Sequence, residues 1–431
     1  MTLARRRFLG AAATAAVATA AATVVPRDAE AASWRPIRAF VVDNAARWNT
    51  GTFTALGVDA RGGLVQRSGL RRTVFRDPHT GIARPYDYGW WTSSTYELDF
   101  GATQVIASWD ATTPRGAYVD VAVQARTASG AWTRWYVVAR WGQGDTSADL
   151  TRASVAGQQD AYGTVQTDTL VARGSHAFTA VRFRFMLLKA PGGAAPRVGL
   201  GAIMASRVPN TPEVTNRVWT HPLNLPVPTY SQERHKGHYP QWDGGGEAWC
   251  SATSTAMVLD YWGRGPSRTE TAWVTQPGES RPQVDHAARY CYDHQYRGTG
   301  NWPFNTAHAS TRGLRCYVTR LRNLREAEMF VNAGVPLIVS VSFSSGELDG
   351  AGYSTAGHLL VIVGFTPAGH VICNDPASHL RPDDGQVRFT YNRRQFEKVW
   401  LPSGRSGGLT YVIAPWGHRL PTALSYEPNW L

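Results

Sequence analysis

Gly244-Gly245-Gly246-Glu247-Ala248-Trp249-Cys250-Ser251-Ala252-Thr253-Ser254-Thr255-Ala256-Met257 decides how the rest of the chain is read. A flexible glycine run leads into a cysteine followed by small residues. Ala252, Ala256, Leu259 and Tyr261 or Trp262 then recur at helical spacing. The pattern predicts a helix from Cys250 to about Trp262 with the thiol at its start. There the positive end of the helix dipole favours a thiolate, and a first turn of small side chains lets the helix pack closely beneath the site. A buried, inert cysteine would give the same local pattern, so the reading turns on the company Cys250 keeps.

A thiolate nucleophile needs a base, and the base needs an orienting group. His358 opens the apolar run Leu359–Phe365, and Asp375 closes Val371–Asn374 after the turn Pro367-Ala368-Gly369. In an antiparallel hairpin the first residue of one strand lies near the last of the other, so His358 and Asp375 can be neighbours. A donor for an oxyanion is the remaining need, and Gln232 in Tyr230-Ser231-Gln232 is placed to supply it.

These stretches carry a specific resemblance. Val227-Pro228-Thr229-Tyr230-Ser231-Gln232, Trp249-Cys250-Ser251 through Tyr261-Trp262-Gly263, Gly357-His358 through Phe365, and Asn374-Asp375-Pro376 resemble cysteine-peptidase family thirty-nine. That family processes bacteriocin leaders, and the likeness is closer to its stand-alone exported relatives. The resemblance covers residues of about 225–415 and implies a papain-like fold. It also implies that the family's Gln, Cys, His and Asp fall on Gln232, Cys250, His358 and Asp375. One departure concerns the oxyanion donor: the family places its Gln several residues before the Cys, whereas here 18 positions separate them. Gln241, inside the intervening His235–Glu247 insertion, is therefore the rival to Gln232, and Asn374 is the rival to Asp375.

Outside this region the chain changes character. From about 33 to 207, Val119, Val121, Val123 and Ala125 alternate with Asp120, Ala122, Gln124 and Arg126. Val181, Phe183, Phe185 and Leu187 alternate likewise. Many short strands without a helical period predict an all-β sandwich, jelly-roll-like. Its Trp90, Trp91, Trp109 and Trp135 would be packing residues or, alternatively, a sugar-binding platform. A Pro-rich linker at 208–225 separates this domain from the second, 226–431. There the Cys250 helix precedes further elements: a helix capped by Asn323, strands Leu337–Val341, Leu359–Phe365 and Val371–Cys373, a helix over Tyr391–Trp400, and a closing strand Thr410–Ile413. The expected class is α+β, a papain-like domain preceded by the sandwich.

Residues 1–31 read as a twin-arginine signal peptide: Arg5-Arg6, an Ala-rich core to Val25, and a small-residue cleavage site at Ala29-Glu30-Ala31. The expected location is therefore extracellular or at the cell wall. Removing that segment takes away four Arg, one Asp and one Glu, lowering the net charge from +12 to +10. A basic exported protein is compatible with anionic cell-wall polymers as partners. No basic run with interleaved aromatics points to nucleic acid, and no later stretch is apolar enough to span a membrane. Four cysteines, at 250, 291, 316 and 373, are too few to build a disulfide scaffold.

Other motifs carry less. His370 and Cys373 would face opposite sides of a strand. His235 and His238 lack Cys or acidic partners nearby in sequence, so no metal and no cofactor is expected. Ser354 is a poor nucleophile elbow, and Gly244–Gly246 lacks the Lys-Ser/Thr of a phosphate loop. Cys291 and Cys316 read as core residues. The function that follows is hydrolysis of peptide bonds in a peptide or protein substrate by thiol chemistry. A cell-wall peptide hydrolase or amidase, or a non-catalytic wall-binding protein, are the alternatives.

Overall fold

The two alternating runs become two long paired strands, Ala117–Thr127 and Phe178–Lys189. Their inward residues lie opposite one another: Val119 against Leu187, Val121 against Phe185, Val123 against Phe183. All six side chains are fully buried. The computed structural model describes residues 36–276, 278, 280–422 and 429–430. The expected signal segment lies outside them.

The N-terminal half holds one short helix, α1 (Ala45–Trp48), and two seven-stranded antiparallel sheets. One sheet runs in the order Gly163–Gln166, Thr169–Ala172, Gln104–Thr112, Arg197–Ser206, Leu64–Gln66, Leu56–Val58, with Ile37–Val42 beside Arg197–Ser206. The other is centred on Ala117–Thr127, Phe178–Lys189 and Ala83–Thr92. Side chains from both meet in one apolar cluster that includes Trp91, Val105, Trp109, Val121, Phe183 and Ile203. Trp91 and Trp109 are thus core residues. Trp90 and Trp135 are partly exposed, and arginines cover their rings: Arg71 sits 4.7 Å from the Trp90 centroid and Arg184 4.1 Å from that of Trp135.

Among its described residues the C-terminal half holds five α-helices and a third antiparallel sheet. The helices are α2 (Cys250–Tyr261), α3 (Pro282–Cys291), α4 (Trp302–Ser310), α5 (Leu324–Asn332) and α6 (Arg393–Trp400). The sheet order is Leu314–Arg320, Leu409–Pro415, Leu337–Phe343, Thr355–Phe365, Val371–Asn374, Arg388–Tyr391, with Leu223–Asn224 added beside Thr355–Phe365. The whole chain is therefore mixed α/β with antiparallel sheets. No described helix is long and apolar enough to cross a membrane.

One expectation needs correction. Tyr391 ends a strand instead of starting a helix, because the Asn392 side chain accepts from Arg394 N and Gln395 N and so starts α6 at Arg393. The 208–225 stretch is held against the C-terminal half. Thr215 donates through its N–H and hydroxyl to Glu397 Oε1 (3.0 and 2.8 Å), Val218 N donates to Glu328 Oε2 (2.7 Å), and Leu223–Asn224 is a strand. Its backbone donors are satisfied by buried carboxylates of the helical half, a pairing that leaves no periodic trace in sequence.

The halves share apolar contacts. Phe304 and Ala307 of α4 belong to the N-terminal core, with the Phe304 ring 5.3 Å from Trp141 and 6.0 Å from Trp109. Buried Arg152 donates to Gly142 O within its own half and to Tyr292 O and Arg289 O across the junction. Five N–H donors on one planar guanidinium make such multi-carbonyl bridging possible.

Candidate active site

Cys250 is the first residue of α2 and is partly exposed, whereas Cys291, Cys316 and Cys373 are buried; all four thiols are free. Burial pushes the Cys291 thiol up to about 12 and those of Cys316 and Cys373 well above the usual range. The run of small residues now has a reason. Ser251 to Leu259 are all buried, so α2 passes through the middle of the half. Two of its hydroxyls are met at close range: Ser251 Oγ by Tyr411 OH (3.0 Å) and Ser254 Oγ by Leu359 O (3.1 Å). Trp249, fully buried, anchors the helix start by donating to Trp242 O (2.6 Å). The glycine run is needed for shape. Gly245 has φ 119°, and a Cβ on Gly246 would lie 2.3 Å from the His235 carbonyl carbon.

His358 sits in Thr355–Phe365, and Asp375 directly follows Val371–Asn374; the two strands pair with Val361 opposite Asn374. That register brings His358 Nε2 to 2.8 Å from Asp375 Oδ1. The Cys250 thiol acts on the same imidazole from another side. Since Nε2 faces the carboxylate, the other ring nitrogen, Nδ1, is the one left for sulfur. Burial alone would push His358 down, but the Asp375 carboxylate and the Cys250 thiol together hold it up at about 10. Burial pushes Asp375 up, yet the His358 charge and hydrogen bonds from His358, Tyr391 and Tyr353 hold its carboxyl below the ordinary value.

Three further donors converge on Asp375. Tyr353 OH (2.8 Å) and Tyr391 OH (2.7 Å) donate to Oδ2, and Ala377 N (3.0 Å) donates to Oδ1. Neither tyrosine was singled out by the sequence, because nothing local links residues 353 and 391 to 375. Asn374, the rival orienter, is occupied elsewhere: it donates to Val227 O and Pro228 O and accepts from Arg388 Nε.

Gln232 opens a single 3-10 turn (Gln232–His235) and is buried in the wall of the Cys250 cleft. Its Nε2 donates to Glu247 O (2.6 Å), with a longer contact to Glu233 Oε1 (3.4 Å). Gln241 is exposed and does not line the cleft. The segments bearing Gln232 and Asp375 are tied together by Gln232 N to Pro376 O (2.8 Å) and by the Ser231 and Ser378 hydroxyls (2.6 Å). Ser378, His379 and Leu380 follow in the left-handed region, with φ of 44°, 55° and 59°. Such a run is costly for residues with a Cβ; these ties hold it in place.

The cleft has a volume of about 840 Å³ and brings Gln232, Cys250 and His358 to one surface. Gln166, Thr167, Asp168 and Thr169, from a hairpin turn of the N-terminal half, form part of its wall. Asp168 is held there by accepting from Trp302 N (3.0 Å).

Residues 39–206 match the family model for the Peptidase C39 N-terminal domain, and residues 224–407 match that of the Peptidase_C39 like family. The chain carries a C39-like peptidase domain. The match indicates a peptidase of the cysteine type acting on peptides or proteins. No curated protein matches the chain. Among solved structures, a crystal structure described as a candidate C39-like peptidase from Bacillus anthracis is 16% identical, covering 45% of this chain and 98% of its own at a TM-score of 0.26.

Within the C39-like domain the remaining motifs resolve simply. Cys373 is buried in the sheet and His370 precedes its strand, so they do not form a pair. Ser354 lines the cleft but lies just before the strand Thr355–Phe365, with no helix following. His235 and His238 do have an acidic partner, against expectation: Asp285 of α3, 47 positions beyond His238.

Proposed function

We propose that this protein hydrolyses peptide bonds with Cys250 as nucleophile, His358 as its base and later acid, Asp375 as the group orienting His358, and Gln232 as an oxyanion donor. The observation that carries this reading is a His358–Asp375 pair at 2.8 Å whose imidazole shares one cleft with Cys250 at the start of α2 and is held up by both. The C-terminal half then corresponds to a papain-like domain and the N-terminal half to a β-sandwich, with residues 1–31 as a twin-arginine export signal and the mature protein outside the cell.

In this mechanism the Cys250 proton passes to His358, giving a thiolate–imidazolium pair. The raised position of His358 and the start of α2 both favour that pair. Sulfur attacks the scissile carbonyl. The oxyanion is met by the Cys250 backbone N–H, which has no intrahelical partner at a first helical position, and by the Gln232 amide. The donation to Glu247 O fixes that amide, and its second N–H, now 3.4 Å from Glu233, is the one to turn to substrate. Collapse of the intermediate breaks the C–N bond as His358 protonates the leaving amine. Water, deprotonated by His358, then hydrolyses the thioester and restores the thiol.

The test is a digest of denatured protein beside purified peptidoglycan, read by mass spectrometry of released fragments. The proposal predicts peptides from the protein at a rate that falls about 10²–10³-fold in kcat for Gln232→Ala, the cost of one oxyanion donor. Fragments from peptidoglycan alone would reassign the substrate to wall peptides. Fragments from neither would remove the enzymatic reading.

A further inference from the structure

The His235–Glu247 insertion carries a second constellation, made of residues that do not line the cleft. His238 N donates to His235 O (2.9 Å), closing a turn that sets both imidazoles together with ring centroids 5.3 Å apart. Asp285, in the first turn of α3, reaches between them. Its Oδ2 is 3.0 Å from His235 Nδ1 and its Oδ1 is 3.1 Å from His238 Nδ1. One ligand atom from each residue lies within 4.8 Å of the others. The His235 and Asp285 side chains are 0% exposed and that of His238 is 14% exposed.

We propose that His235, His238 and Asp285 form a zinc site, with the two Nδ1 atoms and the carboxylate as ligands and water completing a tetrahedron on the His238 side. Zinc takes imidazole and carboxylate at about 2.0–2.2 Å, which in a tetrahedron separates neighbouring ligand atoms by about 3.4 Å. The observed N···O separations are 3.0 and 3.1 Å, one to each Asp285 oxygen, and the three ligand atoms lie within 4.8 Å of one another, so small side-chain rotations bring them onto one ion. Two imidazoles with one carboxylate suit zinc better than calcium or magnesium, which prefer all-oxygen shells. The ion would pin a glycine-rich insertion to α3, so that its binding energy becomes folding energy for that segment. His235 ends the turn that Gln232 begins, and its ring lies 6.1 Å from that of Trp249, the residue before Cys250. The site would therefore hold the segment between those two residues, whatever reaction the cleft performs.

The competing account is a metal-free clamp in which Asp285 accepts one N–H from each imidazole. The full mature chain carrying Cys250→Ala separates them, since the cleft thiol then cannot take the ion. After zinc loading and exhaustive dialysis, elemental analysis should find about one zinc per chain, the occupancy of a single structural site. Free zinc at about 100 times Kd should raise Tm by about 5 °C. Adding His238→Ala, or separately Asp285→Asn, should abolish both effects. Absence of zinc from the Cys250→Ala chain, or its retention in both added variants, overturns the site. The first of these requires no clamp variant to fold, and neither outcome bears on the peptidase reading.

Discussion

Cys250→Ala abolishes peptide hydrolysis, with kcat falling by as much as about 10⁶-fold, the scale seen when the nucleophile of a catalytic triad is removed. It leaves thermal unfolding nearly unmoved. Both halves of that expectation come from position. Cys250 is partly exposed at the first residue of α2, at the margin of an apolar cluster and not inside it, and alanine is the best helix former. The substitution removes its interaction with His358. The other three cysteines predict the reverse pattern. Cys291, Cys316 and Cys373 are fully buried in the apolar clusters, so truncating them costs packing and leaves turnover intact. Purified variants assayed for turnover and melting temperature check the contrast.

Asp375→Asn should be nearly as damaging, and for a different reason. Asp375 accepts from two tyrosine hydroxyls, one backbone N–H and His358. An amide must turn its NH₂ toward donors on one side or the other. A buried donor left facing a donor costs about 1–3 kcal/mol of stability. Amidating the orienting carboxylate of a triad lowers kcat about 10⁴-fold. The pH dependence gives a finer signature. His358 is held up at about 10 against an ordinary 6.5, with the Asp375 carboxylate as the larger of its two supports. A group raised on folding stabilises fully below its unfolded value and loses that contribution as pH rises through its folded value. Native stability and kcat/KM should therefore both fall as pH approaches 10, and in Asp375→Asn the fall should begin several units lower. Melting curves and kcat/KM profiles between pH 6 and about 10.5 read both effects.

The sequence carried the parts of the site that local patterns encode. Small residues after Cys250 marked a helix packed on all sides, and the paired runs at Leu359–Phe365 and Val371–Asn374 put His358 beside Asp375 through a hairpin register. The alternation at Val119–Ala125 and Val181–Leu187 likewise gave two strands whose inward faces meet. Contacts closed over long separations left no such trace. Tyr353 and Tyr391 reach Asp375 from different strand ends, and Asp285 reaches His235 and His238 from another helix. Nothing in the spacing of those residues distinguishes them from ordinary polar positions. The cleft wall supplied by Gln166–Thr169 was hidden for the same reason: it depends on how the two halves pack, through Phe304 and Arg152, and the Pro-rich stretch between them reads as a spacer.

The most direct test of the site is the rate at which each cysteine of the native protein reacts with iodoacetamide as pH is varied, read by peptide mass spectrometry. A thiolate paired with His358 reacts fast and selectively, while the three buried thiols, pushed far up by burial, do not react in the folded state. The prediction is a single rapid modification at Cys250, still rapid at pH 6 and slowed strongly there by His358→Ala. Labelling of Cys250 that is slow at pH 6 and unchanged by His358→Ala would mean an ordinary thiol at a helix start, and would contradict the assignment of Cys250 as the nucleophile.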